Sequence, residues 1–186
     1  GAARLLDAVG DHPLVWVSSA SVYDPRVRSP LIREDHPIGN QLTAYGRTKA
    51  AGERLALAAG AVVLRPRAVY GPGDPHLLPR LVRAVCGRCL VLPGPDVRLS
   101  LTAVENLVDA CLAAVHWPPG AYNIADAEPY ERDAVLGAAL RALGRPARIT
   151  HVPVGLALAA AAAAAGLARL TRSGPPRLTR YAVDQL

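Results

Sequence analysis

The residues with the clearest capacity for chemistry are a tyrosine and a lysine four positions apart, Tyr45 and Lys49. On a helix, residues with this spacing lie on one face, a single turn from each other. A phenol has a reference pKa of about 10, and a neighbouring ammonium favours its ionised form. The pair can therefore serve as a general acid and base near neutral pH. The alternative is a solvated helix face, but Lys49 is the only lysine in the sequence.

A serine-rich segment directly follows a short apolar run, Leu14–Val17. Such a run predicts a buried parallel strand, and open α/β sheets place their functional sites at the carboxyl ends of their strands. A hydroxyl at this point can hydrogen-bond the oxygen of a substrate. Ser19 is the candidate, and Ser18 and Ser21 are open substitutes. The alternative is that these serines only satisfy local backbone groups.

A second apolar run, Ala61–Leu64, leads into Arg65-Pro66-Arg67-Ala68-Val69-Tyr70 and a dense turn ending at Asp74. This arrangement predicts another buried strand whose carboxyl end lies at the same edge of the sheet. The alternative is an ordinary turn between a strand and a loop.

The elements that must position these residues alternate between strands and helices, which predicts an α/β fold with a parallel sheet covered on both faces. The apolar patterns predict further strands at residues 89–92, 121–125 and 149–152. They also predict helices at residues 2–9, 44–59, 77–85, 105–115, 131–143 and 154–170.

Together these segments resemble the extended short-chain dehydrogenases/reductases, also known as NAD-dependent epimerases/dehydratases. The resemblance is carried by SSASVY at residues 18–23, YGRTK at 45–49 and LRPRAVYGPGD at 64–74, and it extends to TAVENLVDA at 102–110 and YNIA at 122–125. It implies a Rossmann-like, doubly wound parallel sheet with a small, mostly helical substrate-binding region. In this arrangement residues 1–75 form the C-terminal half of the Rossmann-like domain. Residues 76–186 form the substrate-binding region, interleaved with the last Rossmann elements at about 100–126.

The same resemblance implies that Ser19, Tyr45 and Lys49 are catalytic and that the cofactor is NAD or NADP. Tyr45 exchanges a proton with the substrate oxygen, Lys49 holds the nicotinamide ribose, and Ser19 orients the reacting oxygen. Tyr45, Lys49, Pro66 and Val69 are the predicted cofactor-binding residues. The resemblance also leaves open a homodimer through the tyrosine-bearing helix.

Within the family, the sequence is most similar to the 3β-hydroxysteroid dehydrogenase-like branch. Sugar-nucleotide dehydratases carry Asp-Glu where this sequence has Ala20 and Ser21, and many epimerases have an asparagine at the position of Ala68. We therefore expect an oxidoreductase of steroid or lipid metabolism that interconverts a secondary alcohol and a ketone on an apolar steroid-like or 3-oxoacyl substrate. The alternatives are a sugar-nucleotide epimerase or reductase and a non-catalytic NAD(P)-binding regulatory protein.

The sequence contains no glycine-rich dinucleotide-binding loop and begins at Gly1 in what reads as a helix. We expect an N-terminally truncated fragment that is inactive alone, with the residues that select NAD or NADP lying upstream. The net charge of +6 is dispersed, so no nucleic-acid partner is expected.

The three cysteines, without a signal peptide, favour the cytoplasm. Cys86 and Cys89 form a CxxC that lacks a second ligand pair for zinc, so no metal is expected, and we interpret the spacing as coincidental at the end of a helix. The uncharged stretch 152–168 predicts a packed helix with weak interfacial membrane contact at most, and not a stable span.

Overall fold

The computed structural model describes residues 1–10, 12–27, 29, 31–74, 77–160 and 162. The chain divides into two compact units. The first unit contains Gly1–Pro72 and Ser100–Pro129, and the second contains Gly73–Leu99 and the chain from Tyr130 onward. The proposed catalytic residues all belong to the first unit.

The secondary structure alternates between helices and strands, in agreement with the sequence pattern. The helices are α1 (Ala2–Val9), α2 (Ala44–Ala58), α3 (Leu77–Ala84), α4 (Val104–Ala113) and α5 (Arg132–Ala142). The strands are β1 (Val15–Val17), β2 (Val62–Pro66), β3 (Ala68–Tyr70), β4 (Cys89–Pro93), β5 (Arg98–Leu99), β6 (Leu101–Ala103), β7 (Gly120–Ile124), β8 (Tyr130–Glu131) and β9 (Arg148–Val152).

The first unit is built on a three-stranded parallel sheet in the order β1-β2-β7. Strand β2 is buried along its whole length, which explains its continuous apolar run. Its side chains alternate between the two faces: Val62 and Leu64 pack in a cluster with residues of α4, and Val63 packs in a second cluster with Trp16 and Ala56. The structure thus confirms the predicted parallel α/β arrangement with helices on both faces of the sheet.

The second unit has its own core of four buried leucines, supplied by α3, β4 and α5: Leu81, Leu90, Leu92 and Leu140. Strands β4 and β9 pair in parallel, whereas β5 and β8 form a short antiparallel pair. The pairs β3–β6 and β5–β8 escaped sequence reasoning because strands of two or three residues carry almost no periodic signal.

Two sequence expectations about the ends of helices change. Helix α4 ends at Ala113 and continues as a 3-10 turn, Ala114–His116. Cys86 and Cys89 lie beyond the end of α3, so the expectation that they end a helix is wrong. The predicted helix at 154–170 is helical at residues 154–160 and 162, and the rest of it lies outside the described residues. In the described part of the chain, no helix is long and apolar enough to cross a membrane.

Candidate active site

Helix α2 places Lys49 at the carboxyl end of β1, with Tyr45 one helical turn earlier. Its first turn is fixed by Thr43, whose side-chain oxygen accepts a hydrogen bond of 3.1 Å from the Gly46 amide. The Lys49 Nζ lies 5.7 Å from the centroid of the Tyr45 ring. It also donates a hydrogen bond of 3.0 Å to the carbonyl oxygen of Val17, the last residue of β1. This bond places the only lysine of the chain directly at the strand end.

Ser19 lies two residues beyond that strand end, as the cap of a 3-10 turn that covers Ala20–Val22. Its Oγ accepts hydrogen bonds from the Ser21 amide at 3.2 Å and from the Ser21 hydroxyl at 3.0 Å. A serine hydroxyl has one proton and two acceptor lone pairs. Since the Ser19 hydroxyl donates to no acceptor in the described part of the chain, its proton is available for a substrate oxygen.

The close approach of α2 to this turn depends on Gly46, the second residue of the YGRTK segment. A Cβ at Gly46 would lie 2.8 Å from the carbonyl oxygen of Ser21 and 3.0 Å from the Cβ of Gln41. Farther along the helix, a Cβ at Gly52 would lie 2.7 Å from the Trp16 ring. The two glycines therefore allow the helix to pack directly against β1 and the turn that follows it.

The three serines of the segment have different environments. Ser18 is 2% exposed, and its Oγ donates a hydrogen bond of 2.5 Å to Glu53. Its hydroxyl proton is thus already used inside the protein, which argues against Ser18 as a substitute for Ser19. Ser21 is exposed and supports Ser19 through the bonds described above.

A buried ion pair behind these residues was missed by sequence reasoning. Glu53 and Arg65 are 1% and 3% exposed, and the Arg65 Nη2 lies 2.6 Å from the Glu53 Oε1. The Arg65 Nη1 donates to the Tyr23 hydroxyl at 2.9 Å and to the Glu34 carbonyl at 2.8 Å. The Tyr23 hydroxyl in turn donates to the Asn123 side chain on β7 at 2.6 Å. The network therefore joins α2, β2 and β7 to Ser18 and Tyr23, which lie in the segment that follows β1.

The electrostatics of this pair are favourable despite its burial. Burial by itself lowers the pKa of Arg65, but hydrogen bonds from its guanidinium to Glu53 and Tyr23 outweigh that effect and raise its pKa overall. The sequence contained one indication that Glu53 belongs with the candidate residues. It follows Lys49 by four positions, as Lys49 follows Tyr45, and this spacing continues along one face of α2.

The loop between the 3-10 turn and α2 is held by Asp24. Its carboxylate accepts hydrogen bonds from the Arg26 amide at 2.9 Å and from the Asn40 side chain at 2.5 Å. The amide of Arg26, followed by the side chain of Asn40, lowers the pKa of Asp24 below 3.8. Asn40 has a φ of 49°, a left-handed conformation that asparagine tolerates better than most residues.

The predicted cofactor contacts Pro66 and Val69 lie at the end of β2 and in β3. Pro66 ends β2 and pairs with Ile124 of β7, and Val69 lies in β3 opposite Thr102. Thr102 is fully buried, and its hydroxyl donates to the Ile124 carbonyl at 2.8 Å and accepts from the Arg67 amide at 3.1 Å. These bonds fix the path of the backbone between Pro66 and Val69.

Two polar side chains of α2 keep hydrogen-bonding capacity that no described residue uses. Lys49 retains two N–H donors after its bond to Val17. Tyr45 is 54% exposed, and its hydroxyl has no hydrogen-bond partner among the described residues. No group of three potential ligands capable of holding a metal ion occurs in the part of the chain that the structure describes.

The fold and this arrangement define a class: a Rossmann-like α/β protein with a tyrosine–lysine pair at the carboxyl edge of its parallel sheet. The model of the NAD-dependent epimerase/dehydratase family matches residues 1–125. The chain belongs to that family, whose cofactor is a nicotinamide dinucleotide, as the sequence resemblance predicted.

Individual relatives agree with this assignment. A 2-alkyl-3-oxoalkanoate reductase of Stenotrophomonas maltophilia is 34% identical over 96% of this chain and 59% of its own length. A decarboxylating sterol-4-alpha-carboxylate 3-dehydrogenase of Bos taurus is 32% identical over 77% of this chain and 45% of its own length. The chain thus spans about half the length of the curated relatives it matches.

Solved structures extend the likeness to the fold. A UDP-glucuronic acid 4-epimerase from Bacillus cereus, solved in complex with NAD, superposes with a TM-score of 0.66 and 22% identity. The match covers 82% of this chain and 54% of that chain. At this identity the likeness shows the fold, which is the predicted Rossmann-like one.

Proposed function

We propose that this chain is the catalytic part of an NAD(P)-dependent oxidoreductase that interconverts a secondary alcohol and a ketone. The observation that carries the proposal is the bond between Lys49 and the Val17 carbonyl. It brings the helix of Tyr45 and Lys49 to the same strand end that leads into Ser19. A hydroxyl donor, a phenol and an ammonium at one strand end are the groups needed to bind and protonate a carbonyl oxygen.

Each residue has a separate role in this mechanism. Ser19 donates its free proton to the substrate oxygen and so orients it. Tyr45 delivers a proton to that oxygen during reduction and removes it during oxidation. The nicotinamide ring, when bound, supplies or accepts the hydride. Lys49 offers its two remaining N–H donors to the ribose hydroxyls and places a positive charge 5.7 Å from the Tyr45 ring.

The substrate we propose is apolar and carries its oxygen at carbon 3. The two relatives described above act, by their names, on a 2-alkyl-3-oxoalkanoate and on a sterol carboxylate at position 3. Ala20 and Ser21 replace the acidic pair of sugar-nucleotide dehydratases, and Ala20 is buried. The segment therefore lacks the side chains for that elimination chemistry.

A substrate comparison tests the proposal. The product of the whole reading frame is assayed with NAD(H) and NADP(H) against 2-alkyl-3-oxo acids, 3β-hydroxysteroids and UDP-sugars. We expect turnover with a member of the first two groups and none with UDP-sugars. Turnover confined to UDP-sugars would assign the chain to the sugar-nucleotide branch, and dinucleotide binding with no turnover would favour a regulatory role.

Tyr45→Phe should remove almost all turnover, because it removes the proposed proton donor. A second tyrosine provides the matched control. Tyr122 also has a hydroxyl, which donates to the Pro118 carbonyl at 2.9 Å, but it lies on β7 and has no part in the proposed chemistry. Tyr122→Phe should retain most of the activity. A loss as large as that of Tyr45→Phe would show that removal of a tyrosine hydroxyl acts through folding and not through chemistry.

A further inference from the structure

The turn between α3 and β4 brings two cysteines opposite each other. The Cys86 amide donates to the Cys89 carbonyl at 2.8 Å, and the Cys89 amide donates to the Cys86 carbonyl at 3.0 Å. Gly87, the first residue between them, has a φ of 61°. A glycine with positive φ at this position is typical of a two-residue type II′ hairpin turn. The CxxC spacing is therefore folded into a hairpin instead of ending a helix.

This geometry is close to that of a disulfide. Residues directly opposite in an antiparallel pair have side chains on the same face, with Cβ atoms about 4.5–5.5 Å apart. When they exchange both backbone hydrogen bonds, their Cα atoms are about 5.5 Å apart, within the range of about 4.4–6.8 Å that disulfides span. A hydrogen-bonded pair lies at the wide end of the Cβ range, near about 5.5 Å. Because disulfide Cβ atoms are about 3.5–4.5 Å apart, the pair needs to close by about 1–2 Å.

The surroundings give the two thiols different roles. Cys86 is exposed and can meet a reagent from solvent. Cys89 is half-buried, and its Sγ lies 3.3 Å from the Thr150 Oγ1 on β9, which anchors it beside its partner. Cys111, in contrast, lies on α4, and burial raises the pKa of its thiol, which lowers its reactivity.

We propose that Cys86 and Cys89 form a reversible disulfide by exchange with a small-molecule disulfide such as oxidised glutathione. The Cys86 thiolate attacks one sulfur of the reagent, forms a mixed disulfide and releases one thiolate. The Cys89 thiolate then attacks the Cys86 sulfur and displaces the second thiolate. The two cysteines lose two protons and two electrons, and the reagent is reduced to two thiols.

The exposure of Cys86 explains why this bond is reversible, because a small thiol can reach its sulfur from solvent. When formed, the bond would link Cys86, which follows α3, covalently to Cys89, the first residue of β4. This activity does not depend on the proposed oxidoreductase chemistry, because all the residues involved lie in the second unit.

Mass spectrometry tests the proposal directly. The protein is incubated with oxidised glutathione, its remaining thiols are alkylated, and the masses of the intact chain and of its peptides are measured. We expect the three alkylatable thiols to fall to one. The peptide with both cysteines should lose two hydrogens, and Cys111 should be alkylated. Mild dithiothreitol should restore all three thiols.

Matched variants separate a built site from random oxidation. In Cys86→Ser, glutathione should react with Cys89 at least tenfold more slowly, and in Cys89→Ser a glutathione adduct should persist on Cys86. The proposal is overturned if the wild-type chain accumulates a stable glutathione adduct in place of the internal bond. It is also overturned if Cys111 reacts as fast as Cys86.

A comparison with unfolded protein provides a second criterion. At a fixed ratio of reduced to oxidised glutathione, the folded chain should favour the internal disulfide at least tenfold more than the chain in urea, because the hairpin has already brought the thiols together. If the folded chain favours the internal disulfide no more than the chain in urea does, the turn does not promote the bond and the proposal fails.

Discussion

Removal of the charge of Glu53 should destabilise the protein strongly while leaving its shape almost unchanged. Glu53→Gln keeps the size of the side chain but leaves the Arg65 guanidinium buried, at 3% exposure, without its counter-charge. Breaking a buried ion pair by changing one partner costs about 3–5 kcal/mol. Such a loss is a large share of a typical domain stability of about 5–15 kcal/mol.

The assay is equilibrium unfolding in urea, followed by the fluorescence of Trp16 and Trp117, the two tryptophans of the chain. Both belong to the first unit, which also contains the ion pair. With a slope of about 2 kcal/mol per molar urea, the midpoint should fall by about 2 M. The midpoint should fall without a change in the slope of the free energy of unfolding against urea concentration.

An exposed ion pair provides the control. Arg98 and Glu131 lie 3.6 Å apart with side chains 59% and 58% exposed. Exposed pairs contribute about 0–1 kcal/mol. Glu131→Gln should therefore have little effect on unfolding followed by far-UV circular dichroism, which reports on both units, including the second unit that contains this pair. The reasoning is refuted if Glu53→Gln costs no more than Glu131→Gln.

Three further predictions concern the candidate active site. Gly46→Ala gains helix propensity but forces a Cβ to 2.8 Å from the Ser21 carbonyl oxygen, so unfolding measurements should show a net loss of about 1–3 kcal/mol of stability, and activity assays a lower kcat. A variant as stable and active as wild type would contradict the packing argument. Ser19→Ala should lower kcat about 100-fold with little change in stability, whereas Ser18→Ala should mainly reduce stability, and the reverse pattern would assign the catalytic role to Ser18. The Asp24 carboxyl has a lowered pKa, so its contribution to the free energy of unfolding is complete above pH 3.8 and is lost as the pH falls through the pKa of the folded state. The stability difference between wild type and Asp24→Asn, measured by urea unfolding, should therefore shrink below pH 3.8. A difference independent of pH would contradict this.

Sequence reasoning was most successful where the pattern was long or chemically specific. The helix that carries Tyr45 and Lys49 was predicted to within one residue, because periodicity over ten or more residues is a strong signal, and the buried run of β2 was predicted to within two residues. The strand end before Ser19 was also placed correctly, and this brought the serine to the edge of the sheet reached by Lys49.

The remaining features depend on contacts between distant parts of the chain. Glu53 and Arg65 look like ordinary charged residues until α2 packs against β1 and β2 and buries both of them. The role of Ser18 is likewise decided by its partner 35 residues away. The hairpin of Cys86 and Cys89 was misread because a glycine with positive φ serves equally well at a helix end and in a tight turn.

The central claim is that Tyr45 exchanges the proton that accompanies hydride transfer. The most direct measurement compares single-turnover reduction of the preferred substrate by wild type and Tyr45→Phe, both expressed from the whole reading frame, with dinucleotide affinity measured in parallel. The account predicts a fall of at least about 100-fold in the rate of hydride transfer with dinucleotide affinity changed less than about threefold. Hydride transfer at the wild-type rate in Tyr45→Phe would contradict it.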